Sequence, residues 1–328
     1  MTKDTFSSIG RVEAVSRLFE GTPYKAFSST SFAASGAVLT ASRLFLEGVD
    51  FDLIYFPLKH LGYKAVTSVT GRLYASLSSP KSLEVVIGVS AKLDFPQIEQ
   101  LWQGMVAAAK EHGYSSVGLD LVPSINGLCI SLSASGESLV EKKPAAKSKD
   151  LLCVSGNLGG AFLGLQVLER EKKKFVASAV QPQLEKYRMM VGSYLKPEIS
   201  PYIVSRFCEA GLVPSHGYLV ERGLADAIRQ LGRDSGLGVK VYADKLPFEG
   251  NSVSLCKELN IDPVSAAMNG GEDYKLLFCV PLADYDTLRH DFQDFQIIGH
   301  LALPETGTAL VLPEGAEFPI TAQGWGGC

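Results

Sequence analysis

The sequence predicts an α/β protein of the α+β type, built from two mixed domains. In both halves, apolar runs of strand character alternate with stretches of helical periodicity. The chain has 328 residues, more than the roughly 250–300 that one core usually serves. Near its middle lies Glu141–Asp150 (EKKPAAKSKD), whose charge and proline content suit a linker. We therefore expect an N-terminal domain over residues 1–147 and a C-terminal domain over residues 148–328.

Strands and helices alternate ahead of the linker. One helical pattern repeats apolar residues every three or four positions from Leu58 to Leu73. A second does so from Ile98 to Ala109, and Gly113 supplies its C-terminal stop. Both helices are expected to be amphipathic. Four apolar runs have the composition of strands: Gly36–Thr40, Glu84–Ala91, Ser116–Val122 and Gly127–Ala134.

The second half repeats this alternation. An apolar strand at Leu151–Val154 precedes a glycine turn and a helix that carries Phe162, Leu165 and Leu168. A further helical pattern runs from Leu224 to Leu231. Short strands are expected near Val239, Leu276, Ile297 and Ala309.

Composition and charge narrow the range of partners. The chain carries 31 Lys and Arg against 35 Asp and Glu, a net charge of −4, with no long basic run, which argues against nucleic acid. Its apolar runs are far shorter than the roughly 20 residues that cross a bilayer, and Met1–Arg17 lacks the apolar centre of a secretory signal. The six cysteines form no C-x-x-C pair, so no structural zinc site is expected. We expect a cytoplasmic protein that binds small molecules.

Two glycine-containing motifs adjoin apolar strands. Ser155–Gly160 (SGNLGG) follows a strand and opens a helix, an arrangement whose backbone N–H groups suit a phosphate. A tight turn without a ligand is an equally good interpretation. Gly270–Tyr274 (GGEDY) precedes a strand, and its adjacent carboxylates suit a polar ligand, a cation or a solvated turn. The candidate phosphate-binding residues are Ser155, Gly156, Asn157 and Gly159.

Taken together, the order and spacing of several motifs resemble the thiamine-monophosphate kinase family of the aminoimidazole ribonucleotide synthetase superfamily. The motifs are EGVDF from Glu47, LGYKA from Leu61, VSGNLG from Val154, Gly223-Leu224 with Ser235–Gly238, GGEDY from Gly270, IGHL from Ile298 and Gly324-Trp325. The resemblance implies two α/β domains and a homodimer formed through the N-terminal sheet. It also implies magnesium-assisted transfer of a phosphoryl group from ATP to thiamine monophosphate.

The chain departs from the family at the aspartates that hold magnesium. Asp120, within VGLDL, is the one such position that stays acidic, and it is a weak candidate metal ligand because magnesium requires near-octahedral oxygen ligation. We therefore expect the family reaction to be impaired. By the resemblance, the lost aspartates fall on Ser31, Phe32, Arg43, Arg72, Leu219 and Arg222.

Three of these replacements, Arg43, Arg72 and Arg222, reverse the charge. If the fold brings them together, their guanidinium groups suit a small anion such as a phosphoester, because each offers a planar fork of N–H donors. The alternative is an ion-pair network in which the arginines are neutralised by protein carboxylates. The candidate partners are Glu47, Asp50, Asp120 and Glu221.

The substrate side of the family cleft keeps more of its polar and aromatic residues. The resemblance places ligand contacts at Asp50, Glu272, Asp273 and Trp325. An aromatic face such as that of Trp325 suits a cationic heterocycle through cation–π attraction. By the resemblance, Asp50 stands where the family has histidine, so the preferred ligand can differ from the substrate of the family.

Three functions follow from these observations. The first is a protein with no cofactor that binds a small anionic phosphoester or nucleotide in the former active-site cleft. The second is an active kinase that uses ATP and magnesium to make thiamine diphosphate. The third is a non-catalytic dimeric scaffold with side chains filling the cleft. The kinase would need carboxylates from shifted positions such as Glu47, Asp50, Asp120, Glu221 and Asp226.

Overall fold

Two mixed sheets with flanking helices form the described part of the protein, which confirms the predicted class. The computed structural model describes residues 38–321 throughout and Phe32–Ser35 by backbone alone. Nearer the N-terminus it describes the isolated positions Glu13, Arg17, Glu20 and Thr22. None of the helices formed by these residues is long and apolar enough to span a membrane.

The first sheet contains five strands among the described residues, in the order β1-β2-β5-β3-β4. Strands β3 and β4 pair in parallel, and the other neighbours are antiparallel. Two helices, α1 and α2, pack against each other beside this sheet. The bounds are β1 Phe32–Ser35, β2 Val38–Leu46, α1 Leu58–Ala75, β3 Ser78–Ser90, α2 Phe95–Glu111, β4 Ser116–Ser124 and β5 Cys129–Ser138.

The second sheet contains seven described strands in the order β12-β11-β8-β10-β6-β9-β7, with β8 and β11 as its parallel pair. Its strands are β6 Leu151–Val154, β7 His216–Val220, β8 Gly238–Tyr242, β9 Lys275–Val280, β10 Gln296–Ala302, β11 Thr308–Val311 and β12 Glu317–Pro319. Its helices are α3 Gly160–Ser178, α4 Arg188–Leu195, α5 Ile203–Glu209, α6 Leu224–Ser235, α7 Ser252–Leu259, α8 Pro263–Asn269 and α9 Tyr285–Asp291.

Strand β2 continues well past the predicted end at Thr40. The polar residues Ser42 and Arg43 interrupt the apolar pattern on which that prediction depended, but each has a partner. Ser42 Oγ lies 3.0 Å from Ser133 Oγ on β5, and Arg43 forms ion pairs on the opposite face. A strand can therefore run through polar residues when both faces satisfy them.

Helix α1 is buried on all sides from Leu61 to Ala75, so the prediction that it is amphipathic is wrong. It contacts β2, β3 and β5 of the first sheet, α2, and also β7 and β9 of the second sheet. Its serine and threonine hydroxyl groups donate to carbonyls of the same helix, as when Thr67 Oγ1 donates to the Tyr63 carbonyl. Because both halves cover α1, its two buried charged residues, Lys64 and Arg72, lie at the boundary between the halves.

The two halves share their apolar cores. The core beside the first sheet includes Leu163 and Val167 of α3 and Met190 of α4, although both helices follow the linker. Conversely, Leu77, at the end of α1, belongs to a cluster built around Phe207 of the second half. The predicted boundary at residues 147 and 148 falls in a stretch without helix or strand, between β5 and β6. Packing nevertheless extends across it.

Candidate functional site

A buried ion network lies where the two halves meet. Arg43 on β2 and Arg72 on α1 both reach Glu221, the residue that follows β7. Arg43 Nε lies 2.7 Å from Glu221 Oε1, and Arg72 Nη2 lies 2.6 Å from Oε2. Arg43 Nη2 also lies 2.7 Å from Asp50 Oδ1, and Arg72 Nη1 donates to the Ser42 carbonyl. Arg43 and Arg72 therefore follow the ion-pair alternative.

Neighbouring charges keep Glu221 ionised. Its side chain is 4% exposed, and burial alone would raise its pKa. The charges of Arg72, Arg43 and Arg222 overcome that effect and lower the pKa of Glu221 to about 2. Arg222 is thus close enough to act on the same carboxylate. In the fold, the charges of all three arginines therefore act on Glu221.

A second buried pair joins Lys64 of α1 to Glu272. Lys64 is fully buried, its Nζ lies 2.6 Å from Glu272 Oε2, and it donates to the Tyr194 carbonyl at 2.8 Å. The ammonium also lies 3.8 Å from the centre of the Tyr194 ring. Burial lowers the pKa of Lys64, while the Glu272 charge opposes that effect. Sequence reasoning did not nominate Lys64, although a lysine within a helix otherwise rich in apolar residues was an available signal.

The GGEDY motif forms a turn attached to the end of β7. Glu272 and Tyr274 have left-handed backbone angles, φ +64° and +52°, which are costly for residues other than glycine. Two hydrogen bonds hold them there, from Glu272 N to the Glu221 carbonyl at 2.7 Å and from Tyr274 N to the Val220 carbonyl at 2.9 Å. The turn therefore sets the positions of Glu221 and Glu272 together.

Asp273 of the same turn caps helix α3. Its buried carboxylate accepts hydrogen bonds from Gly159 N at 2.8 Å and Ala161 N at 3.2 Å. Burial raises the pKa of Asp273 to about 7, against the opposing effect of these donors. A protein carboxylate thus occupies the helix N-terminus where the sequence offered a phosphate site.

The other residues of the glycine loop differ in their contacts and exposure. Ser155 Oγ accepts a hydrogen bond from Leu276 N, Gly156 lies against the Lys275 side chain, and Asn157 is exposed. The tight-turn interpretation therefore describes Ser155 and Gly159, and a phosphate would have to displace Asp273. A cavity of about 620 Å³ adjoins the loop and includes Gly156, Asn157, Lys196 and Lys275 among its lining residues.

Other predicted site residues also have protein partners. Asp50 accepts hydrogen bonds from Arg43 and from Leu46 N, so a substrate would compete with both. Asp120 is exposed on edge strand β4 and accepts from Leu121 N. It pairs in register with Val86, on the face of the sheet opposite Arg43, and the structure does not bring it to the arginines. Trp325 and Ser31 lie outside the described residues, as does the side chain of Phe32.

The residues at this centre do not fit magnesium. Both carboxylate oxygens of Glu221 already face guanidinium groups, which would repel a divalent cation. Across residues 38–321, the structure contains no group of three or more His, Cys, Asp or Glu side chains placed to hold a metal ion. Magnesium needs several oxygen ligands in octahedral geometry.

A cavity of about 340 Å³, which we call the arginine cleft, opens beside Glu221. Arg72 and Arg222 line it, whereas Arg43 does not. The charged side chains around it are four basic (Arg72, Lys143, Arg222, Arg233) and three acidic (Glu221, Asp226, Asp234), and they are joined by His216, Tyr218 and Gln230. The arginine cleft therefore has the size of a small-molecule pocket and a small excess of positive charge.

The two mixed sheets, with a charged cleft where they meet, match the aminoimidazole ribonucleotide synthetase-like fold. The structure of AaThiL complexed with AMPPCP and TMP has a TM-score of 0.80 at 20% identity and covers 99% of each chain. No protein-family model matches the chain.

Sequence comparison finds the same relatives. The thiamine-monophosphate kinase of Aquifex aeolicus is 26% identical over 252 residues, 75% of this chain and 77% of that protein. The thiamine-monophosphate kinase of Bacillus subtilis is 26% identical over 253 residues, 75% of this chain and 73% of that protein. The chain is therefore similar to thiamine-monophosphate kinases over about three quarters of its length, as the motifs predicted.

Proposed function

We propose that this protein binds a small phosphorylated anion in the arginine cleft without magnesium and has lost phosphoryl transfer. The observation that carries the proposal is that Arg72 and Arg222 line a cleft with four basic and three acidic side chains. By the resemblance, both arginines stand where the family has aspartates that bind metal. Guanidinium and ammonium groups recognise phosphate oxygens directly. A related structure is described as a complex with AMPPCP and TMP, so phosphorylated compounds are the class of ligand to test first.

An active kinase is the second candidate, and the sequence match to curated kinases favours it. It would need carboxylates that are available to metal ions. Glu221 and Asp50 are held by arginines, and Asp120 lies on the outer face of its sheet. Glu47 accepts a hydrogen bond from Leu128 N, and Asp226 accepts one from Gln230 Nε2. Each of these five groups would have to exchange a present partner or position for a metal ion.

Ligand binding separates these functions. We expect ATP or thiamine monophosphate to stabilise the protein equally in magnesium and in EDTA, by about 2.7 kcal/mol at 100 times the dissociation constant. Thermal unfolding with each ligand measures this stabilisation, and an ADP-release assay run in parallel measures turnover. Arg222→Ala should raise the ligand concentration needed for a given stabilisation at least about tenfold, because it removes a charge-assisted contact with the ligand. Arg222 is exposed in the structure.

Arg289→Ala, at an exposed arginine of α9, is the matched control and should leave binding unchanged. Magnesium-dependent ADP release would establish the kinase and refute our proposal. If neither nucleotides, thiamine monophosphate nor inorganic phosphate changed the melting temperature, the scaffold function would replace it.

We also propose a homodimer formed through the outer face of the first sheet, as the family resemblance implies. Leu44, Val86 and Val122 lie on this face and are 49%, 41% and 41% exposed, which is unusual for strand residues without a covering layer. Light scattering should give twice the chain mass of 35.2 kDa. Val86→Glu should shift the protein to the monomer, because it adds a second negative charge beside Asp120 within the proposed contact. Leu282→Glu, at an exposed leucine of the other half, should not; a wild-type monomer would contradict the proposal.

The proposed compartment is the cytoplasm. Five cysteines are free among the described residues, and Cys153 and Cys279 are buried there. Free thiols are typical of reducing compartments.

A further inference from the structure

Lys143 enters the arginine cleft from the segment that joins the two halves. It is half-buried, and it lines the cavity together with Arg72, His216 and Arg222. Across residues 38–321, no carboxylate forms an ion pair with it. Its neighbours Lys142 and Lys147 in the same segment are exposed to solvent. The segment thus places one lysine among the basic groups of the cleft and leaves others outside.

The surroundings of Lys143 favour the neutral amine. Burial lowers the pKa of Lys143 to about 8. At pH 8 about half of such an amine is neutral, whereas an exposed lysine is neutral to well under ~1%. The neutral amine is the nucleophilic form of lysine.

A proton acceptor lines the same cleft. Burial lowers the pKa of His216, and the Lys143 charge lowers it further, while Asp234 opposes both effects. The imidazole is therefore neutral near pH 7 and able to accept and return a proton. The other titratable groups that line the cleft with Lys143 are Glu221, Asp226, Asp234, Tyr218, Arg72, Arg222 and Arg233.

We propose that Lys143 is a reactive amine that forms an imine with phosphorylated aldehydes or ketones held in the arginine cleft. This inference rests on the phosphate site proposed above. The phosphate would bind the guanidinium groups, which leaves the carbonyl carbon near the amine. The nitrogen lone pair attacks that carbon to give a carbinolamine. The carbonyl oxygen then departs as water with the two amine hydrogens, a C=N bond forms, and no oxidant or reductant is required.

Pyridoxal 5′-phosphate tests this inference on the full chain. The protein is mixed with a limiting amount of the aldehyde at pH 8, the imine is trapped with borohydride, and the labelled peptides are quantified by mass spectrometry. We expect Lys143 to carry at least about tenfold more label than Lys142 or Lys147, because its amine is more often neutral and lies beside the phosphate site. Inorganic phosphate should suppress labelling of Lys143, and Lys143→Arg should abolish it.

Two comparisons distinguish failure of the imine from failure of the phosphate site. If phosphate stabilises the protein in thermal melts but the label spreads evenly over surface lysines, the imine is refuted and the phosphate site stands. If pyridoxal, which lacks the phosphate, labels Lys143 as well as its phosphate ester does and phosphate gives no protection, the held phosphorylated carbonyl is refuted. Arg222→Ala should lower labelling by the phosphate ester and leave labelling by pyridoxal unchanged.

Discussion

Glu221→Ala is expected to lower the free energy of unfolding by about 3–5 kcal/mol. The substitution leaves Arg43 and Arg72 buried without their shared counter-charge, and an uncompensated buried charge costs far more than the pair contributes when intact. Urea unfolding followed by circular dichroism measures the change. The matched control is Asp294→Ala, which breaks an exposed pair with Arg206 and should cost at most about 1 kcal/mol. Equal losses in the two variants would contradict the prediction.

The free energy of unfolding should depend on pH in the acid range because of the same carboxylate, that of Glu221. The pKa of Glu221 is about 2 in the folded protein against an ordinary value of 4.5, so its contribution to stability is complete above about pH 4.5. That contribution is lost as the pH falls from about 4.5 towards 2, because the unfolded chain binds the proton first. Glu221→Ala has no such group, so the stability gap between wild type and variant should narrow over this interval. A constant gap would show that the carboxylate is not held ionised by the arginines.

Lys64→Met is expected to cost about 3 kcal/mol, at the lower end of the range for a broken buried pair. Methionine fills a similar volume, but it cannot neutralise Glu272 or donate to the Tyr194 carbonyl. The side chain of Glu272 is 20% exposed, which lets water recover part of the loss. Chemical unfolding at neutral pH checks the value.

A double-mutant cycle separates lost charge from lost packing. Lys64→Met combined with Glu272→Gln should be within about 1 kcal/mol of wild type, because the double variant leaves no buried charge without a counter-charge. Lys81→Met is the control, since its pair with Glu137 is about half exposed on both sides. Should the double variant be as unstable as Lys64→Met alone, the loss would come from packing rather than from the unpaired carboxylate.

The sequence predicts the alternation of strands and helices because apolar periodicity is a local property. It also points to Arg43, Arg72 and Arg222 through the motifs around them. It does not predict the partners: Arg72 and Glu221 are 149 residues apart, and only the packing of α1 against both sheets brings them together. For the same reason α1 was expected to be amphipathic, since no local signal shows that a second sheet will cover its polar face.

The glycine loop shows a different limit of sequence reasoning. Its residues suit an anion, and in the structure the group that accepts hydrogen bonds at the helix N-terminus is the carboxyl group of Asp273. The two motifs lie more than a hundred residues apart and meet only in the fold. A sequence identifies the groups that can donate hydrogen bonds, whereas their acceptor is set by tertiary structure.

The packing at the boundary between the two halves has a consequence for ligand selectivity. The guanidinium groups of Arg43 and Arg72 in the first half pair with one carboxylate of the second half, Glu221, and helices α3 and α4 pack into the core beside the first sheet. Movement of one half relative to the other would both separate buried charges and expose apolar surface. Opening and closing of the two halves is therefore costly in free energy. A ligand of the arginine cleft would therefore enter a cavity of nearly constant width. Selection among ligands should then depend on their size rather than on closure of the protein around them.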